Sequence, residues 1–234
     1  MQFHVPDPEY TGSPRAIRSF WLAIRLMVAA LVAIWLVFAL DVLLPVELTG
    51  YGLRPREGIG LLGLVTTPFL HGNLNHLVSN SLPLFVGGVA MLFIYPSAAL
   101  RALPVIFLGS SALAWLFARP SVHIGASGLV YGMLVFVFVS GILRRDLRSV
   151  GVSMMVWLLY GSMIWGVLPG AQGTSWELHL SGALIGLIMA FALKPLDRPP
   201  VKRYDWEDDD DGDGDDVVGA DDPSASRQPW RDWQ

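Results

Sequence analysis

Six stretches of this 234-residue sequence are long and apolar enough to cross a bilayer, and that feature narrows the fold more than any other. Crossing the hydrocarbon takes about 20 mostly apolar residues at roughly 1.5 Å each. The runs fall at 20–44, 72–95, 98–118, 126–143, 150–168 and 177–194, with Pro45, Pro96, Arg119, Arg144, Pro169 and Lys194 at their edges. Lipid offers backbone groups no hydrogen bonds, so each run must satisfy its own. The expected fold class is therefore an all-α membrane protein, a bundle of six transmembrane helices. Pro83 and Gly87/Gly88 interrupt the second run, which a bundle tolerates because neighbouring helices and water satisfy the freed groups. A hydrophobic content of 53% and a mean hydropathy of +0.49 agree with lipid as the solvent.

Charge divides the chain further. Residues 1–204 hold 14 Lys/Arg against 8 Asp/Glu, whereas 205–234 hold 2 against 12. The expected organisation is a cytoplasmic N-terminal segment at 1–19, a membrane domain at 20–196 and a disordered acidic tail at 197–234, since Asp, Gly and Ser cannot bury a core. Within the tail, Glu207-x-Asp209-x-Asp211-Gly212 imitates the start of a calcium loop but fails at the twelfth position, which is Val218. The short loops on one side carry Arg15, Arg18, Arg101, Arg144, Arg145, Arg148, Lys194, Arg198, Lys202 and Arg203; the other side carries Arg54, Arg56 and Arg119. That bias predicts a multi-pass protein of the plasma membrane with both termini in the cytoplasm. The first 20 residues contain no apolar h-region, so insertion is expected to depend on the first span. Arg25 and Asp41 sit near opposite ends of that span, where neither needs a catalytic explanation. The absence of cysteine excludes disulfides, thiolate metal sites and a cysteine nucleophile.

Polar groups inside spans are costly, so those that remain single themselves out. The second run opens with His71-Gly-Asn73-Leu-Asn75-His76-Leu-Val-Ser79-Asn80, the fourth with Gly125-Ala-Ser127-Gly128-Leu-Val-Tyr131-Gly132, and the sixth with Glu177-Leu-His179-Leu-Ser181-Gly182-Ala-Leu-Ile-Gly186. All three runs point the same way through the membrane. Counting back from Arg144, Lys194 and Pro96 puts Ser127, His179 and Asn80 at one level, roughly 22–26 Å from the cytoplasmic end. His76 and Asn80 are four apart, as are Ser127 and Tyr131, so each pair shares a helix face. Gly128/Gly132 and Gly182/Gly186 are spaced for close approach of the fourth and sixth helices, which would bring Ser127 Oγ within reach of the His179 imidazole. A serine hydroxyl needs a positioned base, and neutral histidine suits that task near pH 7. Backbone N–H groups beside Ser127, with donors from Asn80 and His76, would stabilise an oxyanion.

Taken in order, His-x4-His-x3-Asn, then Gly-x-Ser-Gly with Tyr131 four residues after the serine, then His179 with glycines three and seven residues later, resembles the rhomboid family of intramembrane serine proteases over roughly residues 50–194. The resemblance implies Ser127 as nucleophile, His179 as base and later acid, and Tyr131 packed on the His179 ring. It implies an oxyanion hole of His76, Asn80 and the Ser127 N–H, with His71 nearby. It further implies a water-filled cavity open to the outer side and substrates that are single-span membrane proteins. No cofactor, metal or nucleic-acid partner is expected, since five-residue spacing keeps His71 and His76 off one helical face.

Rival readings attach to the same residues. Gly-x-Ser-Gly alone is a common helix-packing pattern, and it is not the soluble hydrolase elbow because position 129 is Leu. Ser181 competes as nucleophile by proximity but points to another side of its helix from His179. His4 and His123 read as interfacial or exposed, with His123 close enough to Ser127 for a place at the cavity edge. Trp157 and Trp165 read as lipid-facing or packing residues rather than a substrate gate. At the level of the whole chain, the alternatives are a non-catalytic rhomboid-like protein that binds or chaperones transmembrane helices, and a channel or transporter, for which no internal repeat is present.

Overall fold

The computed structural model describes residues 12–45, 47–170, 173–198 and 200. The acidic tail, its calcium-loop imitation and His4 lie outside the described residues. Within them the protein is all-helical, apart from one isolated antiparallel bridge between Leu53 and His123. Among the described residues six α-helices of more than four residues follow one another: α1 Pro14–Leu43, α2 Leu74–Ile94, α3 Pro96–Phe117, α4 Ser127–Arg144, α5 Leu147–Tyr160 and α6 Trp176–Ala192. Five segments are long and apolar enough to cross a membrane: α1 to α4, and Leu147–Val167, where a 3₁₀ segment, Gly161–Val167, prolongs α5. At 17 residues α6 is shorter, about 25 Å at helical rise. It stops before the expected residue 194 because Pro195 disfavours a helical Lys194.

Caps explain the other boundaries. α1 starts six residues before its apolar run because Ser13 accepts from Ala16 N at 3.2 Å and Pro14 occupies the first helical position. Asp146 starts α5 at 147 by accepting from Ser149 N at 2.9 Å. α3 begins at Pro96, and Asp197 from beyond α6 caps it, Oδ1 accepting from Ser97 N at 3.0 Å and Oδ2 from Ala98 N at 2.8 Å. The Asp197 carbonyl accepts in turn from Arg144 Nη1 at 3.0 Å, and the Arg144 guanidinium lies 4.1 Å over the Tyr95 ring. One end of the bundle is thus tied across α2, α3, α4 and α6. Arg25 is exposed, and Asp41 Oδ1 caps the turn Leu48–Tyr51 by accepting from Leu48 N at 2.5 Å.

α4 is the central helix. Of its most apolar stretch 67% is buried, against 11% for Leu147–Val167 and 6% for α1. The outward surface is correspondingly apolar, with Leu36, Leu82, Leu158 and Trp165 all exposed, which suits contact with lipid. Trp165 is exposed and Trp157 stacks on Phe138 at 5.4 Å, the lipid-facing and packing roles respectively.

Candidate active site

α4 and α6 meet along a seam of glycines. A β-carbon on Gly182 would lie 1.9 Å from Gly128 O, and one on Gly186 would lie 2.1 Å from Gly132 O. Gly132 in turn faces Gly182 O, and Gly128 faces the side chain of Leu178. The two backbones touch there, a contact that hydrogen alone fits.

That contact sets the first part of the site. Ser127 is the first residue of α4 and is nearly buried; Tyr131 follows one turn later on the same face. The Tyr131 ring stacks on His179 of α6, centroids 4.3 Å apart and planes 10° from parallel. Tyr131 Oη donates to Met163 O at 2.7 Å, and His179 Nδ1 lies 2.9 Å from Gly166 O. Both carbonyls belong to the 3₁₀ segment after α5.

α2 supplies the second part. Asn73 caps it by accepting from His76 N at 2.9 Å, which starts the helix so that His76 and Asn80 follow on one face. Both reach Gly125: a β-carbon there would lie 2.5 Å from His76 Nε2 and 3.7 Å from Asn80 Nδ2. Gly125 also has φ +110°, a conformation that side-chain-bearing residues avoid, and its N–H donates to Thr67 O at 2.9 Å. Asn80 Nδ2 donates one hydrogen to His76 O at 3.0 Å. His71, outside the spanning helix, is buried edge-on to His76 with ring centroids 5.1 Å apart, and its Nδ1 donates to Phe69 O at 3.4 Å. Burial, reinforced by His76, pulls its pKa down to about 4 against the opposing pull of the Phe69 carbonyl, so it is neutral near pH 7. Among the described residues no group of three or more His, Cys, Asp or Glu side chains is arranged to hold a metal.

Residues 60–196 match the family described as the Rhomboid domain. The chain belongs to the rhomboid family. An uncharacterized protein of Mycobacterium tuberculosis is 32% identical to this rhomboid over 203 residues, 82% of each chain. An uncharacterized protein of Mycobacterium leprae is 33% identical over 175 residues, 70% of this chain and 69% of that one. RHOMBOID-like protein 4 of Arabidopsis thaliana is 30% identical over 156 residues, 64% of this chain and 37% of the plant protein. The domain and the apolar helices make this rhomboid a multi-pass membrane protein.

Other polar residues at this end of the rhomboid have structural partners. Ser181 is fully buried and donates to Glu177 O at 2.7 Å, one turn back in its own helix. Glu177 accepts from Arg119 N at 3.3 Å and pairs with Arg119 Nε at 3.6 Å. His123 corrects the expectation of an interfacial or exposed residue: it is 1% exposed, with Nδ1 2.5 Å from Ser175 Oγ and Nε2 3.0 Å from Arg119 O. Its backbone pairs with Leu53. The loops before α2 and α4 thereby close over it. Two participants escaped the reading of the sequence, the carbonyls of Met163 and Gly166. A main-chain acceptor leaves no side-chain signature, and the one available hint was Pro169, three residues after Gly166.

Proposed function

We propose that this rhomboid is an intramembrane serine endopeptidase that cleaves single-span membrane proteins with a Ser127–His179 dyad. The observation that carries the reading is the stack of His179 on Tyr131, because it holds an imidazole one helical turn from the only serine at the start of α4. In the reaction Ser127 Oγ attacks the scissile carbonyl while His179 Nε2 accepts its proton. The oxyanion is met by Ser127 N–H and by donors from His76 and Asn80, the side chains that converge on Gly125. As the C–N bond breaks, His179 returns the proton to the leaving amine, and water then hydrolyses the acyl-enzyme through the same base.

In this reading all six helices cross the plasma membrane, α6 needing modest local thinning or snorkelling at Lys194. The Lys/Arg bias supports cytoplasmic termini and a dyad near the outer face. A peptide bond inside a helix hides its carbonyl, so substrates are spans that unwind near the cut. The test is labelling of the purified full chain with a serine-directed fluorophosphonate, alongside cleavage of a reporter transmembrane segment. Label and cleavage are expected in the wild type and lost together in Ser127→Ala and His179→Ala. A labelled serine elsewhere overturns the site; a folded chain that binds the segment without cutting it makes the protein a non-catalytic binder of transmembrane helices.

A further inference from the structure

None of the residues of Gly161–Val167 is buried, and an apolar cavity of about 270 Å³, lined by Leu134, Phe138, Trp157, Met163 and Leu187 among others, separates much of this segment from α4 and α6. Side-chain packing seats it chiefly through Met163, which lies partly buried against the core. Its hydrogen bonds to side chains of the bundle, among the described residues, are those from Tyr131 Oη to Met163 O and from His179 Nδ1 to Gly166 O. The second is available for a covalent reason. Pro169 disfavours a helical Leu168, which is extended at φ −95° and ψ 146°, so the 3₁₀ helix ends at Val167 and the Gly166 carbonyl is left without a helical donor. Gly166 also has to lack a side chain, since a β-carbon there would lie 2.0 Å from Tyr131 Oη and 3.3 Å from His179 Nδ1.

We propose that the Gly166 carbonyl, kept free by Pro169, is the positioning acceptor for the His179 base. The inference rests on the dyad reading and adds the third group to it. Stacking on Tyr131 fixes the plane of the imidazole but is nearly indifferent to a half-turn flip that exchanges its two edges. An acceptor on one edge removes that freedom. A carbonyl only accepts, so Nδ1 carries the hydrogen, and in the neutral ring Nε2 keeps the lone pair that takes the serine proton. Tyr131 thus acts on the base twice, by its ring on the imidazole and by its hydroxyl on the segment that presents Gly166.

The experiment uses the full chain in lipid with ¹⁵N-labelled histidine. Ring ¹⁵N shifts distinguish the two neutral tautomers, and subtraction of the His179→Asn spectrum isolates His179. Wild type is expected to hold the Nδ1–H form at neutral pH. Pro169→Ala, which restores a competing N–H, and Tyr131→Phe, which keeps the stack but drops the tether, are expected to show mixed tautomers. Both are expected to lose kcat by about ten- to a hundredfold with KM unchanged, a part of the roughly 10²–10⁴-fold that a positioned base contributes. An Nε2–H tautomer in wild type, or wild-type kcat in Pro169→Ala, overturns the proposal. The wild-type spectrum needs no variant to fold and no turnover, so it decides the assignment of Gly166 even if the chain cleaves nothing.

Discussion

Gly182→Ala is the sharpest perturbation of the seam that brings α4 to α6. The added methyl would sit 1.9 Å from Gly128 O, 2.8 Å from its carbonyl carbon and 3.1 Å from its Cα. All three are backbone atoms of a helix, so no rotamer relieves the contact. Reaching an ordinary separation requires the helices to part by about 1.5 Å, and overpacking of that kind costs roughly 1–3 kcal/mol. The consequence for chemistry is larger. His179 is three residues before Gly182 and Ser127 is next to Gly128, so the displacement falls directly between the proposed base and nucleophile. A misplacement of about 1 Å can cost on the order of 100-fold in rate. Cleavage of a reporter segment by Gly182→Ala is expected to fall at least that far while the protein still inserts and purifies. Gly151→Ala is the control, since a β-carbon there meets nothing within 4 Å; it should cleave normally. Wild-type cleavage by Gly182→Ala would refute the idea that backbone contact at this seam sets the dyad distance.

Three further outcomes are expected. Ser181→Ala should retain fluorophosphonate labelling and cleavage, because the hydroxyl is committed to Glu177 O; loss of the label would move the nucleophile to α6. Asp197→Ala removes the cap of α3 and places alanine at φ +57°, so thermal unfolding in detergent should show a loss of about 0.5–2 kcal/mol, with Asn, which tolerates that φ, losing less. For His71, whose folded-state pKa lies near 4 against 6.5 unfolded, the unfolded chain protonates first as pH falls. Its contribution is fully present above pH 6.5 and is lost between 6.5 and 4, at up to about 1.4 kcal/mol per pH unit. His71→Gln should flatten that part of the stability profile, and an unchanged slope would contradict the burial that depresses the group.

The helices were legible because bilayer thickness imposes a length on each apolar run, and the site's side chains because polar residues in such runs are conspicuous. What was hidden followed other rules. The start of α1 at Pro14 is set by Ser13, outside the apolar run that hydropathy sees. The fifth run reads as one span, yet its α-helix ends at Tyr160 and continues as 3₁₀ through Val167, a change that hydropathy does not register. His123 looked interfacial as a lone histidine among polar neighbours. Its burial depends on Leu53, Ser175 and Arg119, which are close only after folding. Pro169 was visible as the end of a span, but its effect on the Gly166 carbonyl needs the position of His179, which no local pattern carries.

That no carboxylate among the described residues hydrogen-bonds His179 has a physical rationale. An acidic partner on Nδ1 would have to be ionised next to a half-buried ring packed against Tyr131, where the desolvation penalty amounts to several kcal/mol per ion. Glu177, the nearby acid, is instead turned to Arg119 and spent on joining the end of α3 to the start of α6. A carbonyl carries no net charge, and at Gly166 it is already without a helical donor because of Pro169. Using it adds no buried ion and satisfies an acceptor that would otherwise be unpaired. The arrangement also makes the base depend on a weakly packed segment. Any displacement of Gly161–Val167 away from α6 would withdraw Gly166 O from Nδ1, so the proposed dyad and the position of this segment are coupled.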